Sequence, residues 1–306
     1  MAALVTIGIP FRDEGQMLEL AIRSVFAQTY ENWELILIDD GADDATRSIV
    51  ESVRHDRVRL VGDGLNLGLA TRLNQIARLA NGKYIARMDA DDVMHPERLE
   101  KQVSYLEQHA FVDVLGTATY VIDVNNRPVG IRGTGELDLR PSVIISRTPL
   151  IHPTVMARTE WMRENPYDES YLRAQDRELW FRTHAYSRFE CIREPLLFYR
   201  EVGAFSWQKY RLSMKMDRKI LLQHGPKYLG WPKTVIKLLE TWVKLATYTL
   251  LDIAGSTDLM LSRRSSSLTI DEQERANQAL QRVASTHVPG LPKIQCDQRR
   301  KSASGE

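Results

Sequence analysis

Apolar residues in the first hundred positions follow two alternating spacings. Short continuous apolar runs, typical of strands covered on both faces, lie at residues 4–10, 35–38, 58–62 and 84–88. Helical spacing separates these runs at residues 18–26, 43–53 and 69–80, and Pro96 begins a further helix. Strands that alternate with helices in this way predict an α/β fold with a parallel sheet and right-handed crossovers.

Carboxylates collect where two of the predicted strands end. Asp39 and Asp40 close the second strand, and Asp89, Asp91 and Asp92 follow the fourth. Because open parallel sheets bind ligands at the carboxyl ends of their strands, this placement predicts a functional site at one edge.

The second half of the chain has a different pattern. Residues 112–205 mix short strands and turns with one helix at 176–186, and the pattern is helical from Trp207 onward. Residues 233–253 are mainly apolar, with their polar members in one narrow stripe, and the sequence beyond Pro289 is polar and basic.

These changes of pattern divide the chain. We expect a first domain at 1–205, made of two halves at about 1–110 and about 111–205. A helical C-terminal extension is expected at 206–288, followed by a disordered tail at 289–306.

Composition excludes several classes of protein. The chain has 306 residues, with 41 Lys and Arg against 40 Asp and Glu, so its balanced charge does not favour nucleic acid as a partner. Cys191 and Cys296 lie far apart, which argues against a disulfide framework and favours a reducing cytoplasm. The start of the sequence does not resemble a signal peptide, and no apolar run is long enough to cross a membrane.

The sequence RMDADD at 87–92 carries the clearest chemistry. Three carboxylates held together after a buried strand repel one another, and a divalent cation removes that repulsion and can bridge to a diphosphate. Oxygen ligands suit Mg²⁺ or Mn²⁺. The alternative is a solvated acidic turn that precedes the helix near Pro96.

The sequence DDGADDAT at 39–46 has two roles. Asp43 or Asp44 can cap the helix that follows, whereas Asp40 at the strand end can accept a hydrogen bond from the N–H of a pyrimidine ring. Asp40 therefore favours uracil or thymine over guanine as the base of a bound nucleotide.

Several segments in the same order resemble family 2 glycosyltransferases. The resemblance covers roughly residues 4–205, and it is carried by residues 9–46, residues 66–102, HPTVMAR at 152–158, AQDRELWFR at 174–182 and PLLFYR at 195–200. It implies a GT-A type fold with a mostly parallel central sheet flanked by helices, and a sugar transfer from a nucleotide-sugar donor with inversion. It also implies that residues 1–205 form the catalytic domain, with a nucleotide-sugar half at about 1–110 and an acceptor half at about 111–205.

The resemblance also implies roles for single residues. Asp176 is expected as the catalytic base, and Asp91 with Asp89 as the metal ligands. The expected nucleotide-sugar contacts are Pro10, Phe11, Asp40, Asp89, Ala90 and Arg200. Two further residues, His152 and Gln175, are expected to line the acceptor site.

The implied chemistry agrees with these residue types. A carboxylate can take the proton of an attacking hydroxyl, and a metal ion can stabilise charge on the departing diphosphate. Asp176 also lies at the start of a predicted helix, where a carboxylate is stabilised whatever its function. An ordinary structural role is likewise open for His152.

Two positions depart from the family pattern. Gln175 replaces the Glu that often precedes the catalytic Asp, so a second acid is missing there. EVGAFSW follows Arg200 where the family often carries a His, which leaves any diphosphate contact by a histidine in doubt.

Other functions are weaker candidates. The loop PFRDEGQ has one glycine, whereas a nucleotidyltransferase needs a Gly-rich loop there. A phosphohydrolase with an aspartyl nucleophile would need a DxDxT-like run after a strand, and neither acidic run has a threonine at that place. A catalytically inactive nucleotide-sugar-binding or scaffold module remains the main alternative.

The expected partners follow from this function. They are a UDP- or dTDP-sugar, a glycan or lipid-linked glycan of the cell surface, and a divalent Mn²⁺ or Mg²⁺. We expect a cytoplasmic protein, and the apolar segment 233–253 could touch the inner face of the membrane, the catalytic domain or a second copy in a homodimer.

Overall fold

The computed structural model describes residues 2–201, 207–253 and 266–292. The strands in these ranges are β1 (Val5–Phe11), β2 (Trp33–Asp39), β3 (Val58–Gly62), β4 (Tyr84–Arg87), β5 (Val93–Met94), β6 (Val114–Ile122), β7 (Pro128–Arg132), β8 (Met156–Arg158) and β9 (Phe189–Arg200). The helices are α1 (Gln16–Phe26), α2 (Asp44–Ser52), α3 (Leu69–Leu79), α4 (Arg98–Gln108), α5 (Pro141–Ile144), α6 (Thr159–Glu164), α7 (Gln175–Thr183), α8 (Trp207–Leu229), α9 (Trp231–Ile253) and α10 (Ile270–Ser285). A short 3₁₀ turn covers His152–Thr154.

One mixed sheet contains the described strands, in the order β3-β2-β1-β4-β8-β6-β9-β5, with β7 paired to β6. Strands β1 to β4 are mutually parallel, and β6 and β9 run in the same direction as they do. Only β5, β7 and β8 run in the opposite direction among the described strands. The predicted α/β fold, with a mostly parallel sheet flanked by helices, is confirmed.

Both faces of the sheet are covered, which explains why the strand sequences are continuously apolar. In β2, Leu35 and Leu37 point into a core shared with α1 and α4, whereas Ile36 and Ile38 point into a core shared with α3. Gly8 in β1 lies against Ile76 of α3, where an added Cβ would come within 2.5 Å of the side chain. These contacts fix the distance between α3 and the end of β1.

Local signals position the helices as the sequence predicts. The Asp43 carboxylate accepts a hydrogen bond from Thr46 N at 2.7 Å and caps α2. The predicted strand at 58–62 is confirmed at the same residues, and α3 begins at Leu69 as expected. The helix expected at 176–186 is α7, which begins one residue earlier and ends at Thr183.

The C-terminal helices pack at two different places. Helices α8 and α9 form an antiparallel pair, in which Thr234 lies against Gly225 and Tyr210 stacks on Tyr248. Helix α8 buries Met216, Ile220 and Leu221 in the same core as α3, α6 and α7. Helix α10 packs instead beside α1 and the β6–β9 pair. The expected helical extension is therefore present, but its helices do not form one unit.

The expected tail begins later than residue 289. Leu291 is 6% exposed and joins the core around β1 and α1, and Pro289 O accepts a hydrogen bond from Arg54 N at 2.9 Å. The expectation of disorder was wrong for residues 289–292, because the apolar side chains of Val288 and Leu291 are buried in the core beside β1 and α1. The remaining tail, 293–306, lies outside the described residues. Across the described ranges, we find no helix with the length and apolar character that a bilayer crossing requires.

Candidate active site

The acidic run after β4 folds into one cluster. Ligand oxygens of Asp89, Asp91 and Asp92 lie within 4.8 Å of one another. Asp92 is buried, and its Oδ1 accepts a hydrogen bond from Arg200 N at 2.8 Å. The other oxygen of Asp92, Oδ2, is buried and has no hydrogen-bond partner among the described residues. The structure thus collects three carboxylates around one point, with one oxygen left unsatisfied.

The electrostatics of this cluster favour a bound cation. Burial raises the pKa of Asp91, and the neighbouring Asp89 carboxylate raises it further. Burial raises the pKa of Asp92 well above its usual range, with further contributions from Asp89 and Asp91. A divalent cation would stabilise the ionised form of each carboxylate, and hard oxygen donors fit Mg²⁺ or Mn²⁺. The donor set and the unpartnered oxygen both fit such an ion.

Arg87 neutralises part of this charge, which the sequence analysis did not anticipate. Its buried guanidinium binds both oxygens of Asp89, with Nη1 at 2.9 Å from Oδ2. Arg98, also buried, donates to Arg87 O at 2.9 Å and holds the end of β4 in place. With Asp89 engaged by Arg87, Asp91 and Asp92 keep the larger share of uncompensated charge. The Arg that opens RMDADD was the available sequence signal.

Asp40 joins the ends of β2 and α3. One carboxylate oxygen accepts hydrogen bonds from Leu67 N at 2.8 Å, Gly68 N at 3.0 Å and Arg72 Nε at 3.0 Å. Arg72 is fully buried and also binds Asp63, which lowers the pKa of that carboxyl to about 2. Asp40 therefore supports the N-terminus of α3, and its proposed contact with a base stays a prediction.

Pro10, Phe11 and Ala90 lie beside these strand ends with their side chains buried. Phe11 O accepts a hydrogen bond from Asp40 N at 2.9 Å, which ties β1 to β2 where both strands finish. Any contact that these three residues make with a donor would therefore use mainly backbone atoms or the loop edges. Their predicted role is not tested by this geometry.

The second half of the chain brings Asp176 to the same region. Asp176 lies in the first turn of α7, directly after Ala174 in a left-handed conformation and Gln175. Thr148 Oγ1 donates a hydrogen bond to Asp176 Oδ2 at 3.1 Å. This contact fixes the orientation of one carboxylate oxygen, and Thr148 was not identified from the sequence.

His152 lies in a polar and aromatic environment. Its Nε2 is 2.8 Å from Tyr167 Oη, and its ring contacts Trp180 edge to face. Burial, with a smaller contribution from Arg87, lowers the pKa of His152 well below its usual range. The imidazole is therefore neutral at pH 7, and it shares one hydrogen bond with the hydroxyl of Tyr167.

One cavity of about 460 Å³ joins the two halves of the site. Its lining includes Asp89 from the first half of the chain and His152, Gln175 and Asp176 from the second half. The remaining polar side chains in its wall include Arg87, Arg132, Thr148, Arg173 and Tyr199. Four sequence-predicted residues from distant parts of the chain therefore share one cleft.

Arg200 links the acidic loop after β4 to the loop between β6 and β7. Its guanidinium donates to Asp91 O at 2.7 Å, Asp123 O at 3.0 Å and Asn126 Oδ1 at 2.6 Å. These bonds occupy the groups that would reach a diphosphate, so Arg200 holds the loop after β4 in this structure. Direct contact with the donor stays a prediction.

Comparison with known sequences identifies related proteins. The sequence model described as glycosyl transferase family 2 matches residues 6–180. The putative glycosyltransferase EpsE of Bacillus subtilis is 38% identical over 221 residues, which cover 69% of this chain and 78% of that protein. The UDP-Glc:alpha-D-GlcNAc-diphosphoundecaprenol beta-1,3-glucosyltransferase WfgD of Escherichia coli is 34% identical over 127 residues, or 42% of this chain and 49% of that protein.

Comparison with solved structures confirms the GT-A type fold. S. aureus TarS 1-349 in complex with UDP-GlcNAc matches with a TM-score of 0.58 at 17% identity, over 94% of this chain and 81% of that chain. The mannosyltransferase PcManGT from Pyrobaculum calidifontis, in complex with GDP-Man and Mn²⁺, gives a TM-score of 0.54 at 17% identity, over 93% and 86% of the two chains.

Proposed function

Because this chain belongs to glycosyl transferase family 2, we propose that it transfers a sugar from a nucleoside-diphosphate sugar to an acceptor hydroxyl, with inversion at the anomeric carbon. The cleft carries this proposal, because it joins the acidic cluster at Asp89 to the partly exposed carboxylate of Asp176. Residues 1–205 contain both, and we assign the reaction to that part of the chain.

The nucleotide half holds the donor. Asp40 accepts the N–H of a uracil or thymine ring, and the strand ends at Pro10, Phe11 and Ala90 form the surface beside it. A UDP- or dTDP-sugar suits this arrangement. The UDP-GlcNAc in complex with TarS and the UDP-Glc in the name of WfgD support a uridine donor.

Asp91 and Asp89 hold the divalent cation, with Asp92 as a buried neighbour. A bound Mn²⁺ or Mg²⁺ supplies Lewis-acid stabilisation for charge that develops on the diphosphate. The Mn²⁺ in complex with PcManGT supports Mn²⁺ as one candidate. Arg87 limits repulsion within the cluster by pairing with Asp89.

Asp176 acts as the general base. As the acceptor oxygen forms its bond to the anomeric carbon, the hydroxyl proton passes to the Asp176 carboxylate. The bond between that carbon and the phosphate oxygen breaks, and its electron pair leaves with the nucleoside diphosphate. Thr148 holds Oδ2 of Asp176, which leaves Oδ1 for the acceptor. Gln175 and His152 line the cleft where the acceptor sugar would lie.

The acceptor is a lipid-linked glycan used in cell-surface polysaccharide synthesis. The name of WfgD, which specifies a sugar linked through diphosphate to undecaprenol, supports this class of acceptor. With an acceptor of this kind and a nucleotide sugar as donor, the reaction would occur at the cytoplasmic face of a membrane.

The test is a panel of UDP-, dTDP- and GDP-sugars, measured for binding and donor hydrolysis with Mn²⁺ and with a chelator. We expect one donor to bind in the presence of Mn²⁺, and chelator or Asp91→Ala to abolish that binding. Asp176→Asn should bind the donor normally and lower turnover by at least about 100-fold, because it removes the base.

Two matched variants control for charge and for helix stability. Asp56→Ala removes an exposed carboxylate far from the cleft, and Asp271→Asn removes one from the first turn of α10. Both should retain wild-type binding and turnover. Full binding with no turnover on any donor would favour an inactive scaffold, and absence of all nucleotide-sugar binding would refute the proposal.

A further inference from the structure

Helix α9 carries an unusual concentration of exposed apolar side chains. Six of the large apolar residues that are exposed in the described chain lie on it: Trp231, Val235, Ile236, Leu239, Trp242 and Val243. At about 100° per residue these positions span roughly 140° of the helix surface. Thr234 and Thr241 point the opposite way and are buried. The helix therefore presents a broad apolar face to its surroundings.

A basic groove borders this face. It lies between α8 and α9, has a volume of about 410 Å³, and is lined by Arg211, Lys215, Arg218 and Trp242 together with apolar stems. The Arg218 guanidinium lies 4.2 Å from the centre of the Trp242 ring. Cations and an amphipathic aromatic ring thus meet along one edge of the apolar face.

In the part of the chain that the structure describes, the cations of this groove lack acidic partners. Within the described residues, Arg211, Lys215 and Arg218 form no ion pair with a carboxylate. Arg218 Nη1 is buried and has no hydrogen-bond partner there. Residues 207–253 contain nine Lys and Arg but only three Asp and Glu. The surface therefore complements an extended anionic partner.

Helix α8, which forms one wall of the groove, is also bonded to residues at the active-site cleft. Arg173 lines the cleft, and its Nε donates to Ser213 Oγ on α8 at 2.8 Å. Arg177 on α7, next to Asp176, forms an ion pair with Asp217 of α8. A partner bound at α8 and α9 would lie beside the acceptor side of the site.

We propose that the exposed face of α9 and the basic groove, together called the α8–α9 surface, dock on an anionic phospholipid bilayer. The apolar side chains enter the boundary between headgroups and acyl chains, and the groove cations bind lipid phosphates. A second copy fits this surface less well, because a twofold contact would bring the same excess of cations against itself.

Docking on a bilayer would place the enzyme beside a lipid-linked acceptor. This benefit rests on the proposed function, whereas the docking itself does not. Bilayer binding and donor binding can be measured separately, so failure of one is distinguishable from failure of the other.

The experiment is flotation of the full chain with vesicles of phosphatidylcholine alone and of phosphatidylcholine mixed with phosphatidylglycerol. We expect binding to the mixed vesicles that weakens as salt is added. The double variant Leu239→Ser/Val243→Ser should weaken it at least about tenfold. The double variant Arg211→Gln/Lys215→Gln should weaken it about fivefold for each cation removed.

Matched controls are Phe111→Ser and Arg193→Gln, which change exposed residues elsewhere on the protein. They should bind vesicles as the wild type does, and all variants should bind the nucleotide-sugar donor equally well. No vesicle binding, or equal binding by all variants, would overturn the proposal. A dimer in light scattering that the Leu239→Ser/Val243→Ser variant dissociates would also overturn it, since a second copy would then cover the surface.

Discussion

Helices α9 and α10 are both amphipathic, yet the apolar face of α10 is buried and that of α9 is exposed to solvent. Helix α10 buries Ala276, Leu280 and Val283 against α1 and the β6–β9 pair, and Val283 is 0% exposed. Helix α9 leaves Val243 65% exposed. Their own charges are similar, because α9 has three basic and two acidic residues and α10 has two basic and three acidic; the basic neighbour of α9 is α8, with six basic residues and one acidic. An apolar stripe shows that a helix needs a covering surface, but it does not show which surface.

The buried and exposed valines provide the sharpest test of this contrast. Val283→Asp should lower the free energy of unfolding by more than about 3 kcal/mol, because it places an unpaired charge in a closed core. Val243→Asp should change it by no more than about 0.5 kcal/mol, since the side chain already faces solvent. Urea unfolding followed by circular dichroism measures both. Equal losses would mean that α9 is also covered in solution.

Arg23 provides a second test, because it anchors the end of the α10 segment. Its buried guanidinium binds Glu19, Thr286 O at 2.7 Å, and Pro292 O. Arg23→Gln should cost about 2 kcal/mol of stability, since it leaves buried acceptors without partners. The exposed Lys244→Gln on α9 should have almost no effect in the same urea titration. If Arg23→Gln were neutral, the segment after α10 would not be held as described.

The N-terminal cap of α10 gives the smallest expected effect. Thr269 and Glu272 form a reciprocal capping box at the start of α10. Thr269→Ala should lower stability by about 1 kcal/mol. Thr247→Ala on α9 removes a hydroxyl that bonds only to Val243 O of its own helix, and it should be nearly neutral. The difference between the two midpoints of thermal unfolding measures the contrast, and its absence would argue that α10 needs no cap.

The nucleotide half was largely predictable from its sequence. The apolar runs of β1 to β4 are covered on both faces, so their pattern is unambiguous, and the capping role of Asp43 depends only on residues three positions apart. The clustering of Asp89, Asp91 and Asp92 follows from their local spacing at a strand end. Interactions of short range in sequence produce all of these features.

Long-range contacts were not predictable in the same way. Buried Arg98 donates a hydrogen bond to Val155 O across 57 positions of the chain. Thr148 reaches Asp176 across 28 positions of the chain, and Tyr167 reaches His152 across 15. Each such contact depends on where two elements meet, and nothing in the local spacing of the residues records that meeting.

The sequence by itself determined the α/β order of elements, the family, and the carboxylates at the strand ends. The order of elements and the positions of the carboxylates depend on local propensity and on the periodicity of burial, whereas the family follows from the ordered motifs that resemble family 2 glycosyltransferases. Only the tertiary structure decided that Asp89 and Asp176 share one cleft, that α10 closes on the catalytic domain, and that α9 keeps an exposed apolar face. Those outcomes depend on shape complementarity between elements far apart in the chain, which a periodic pattern does not specify.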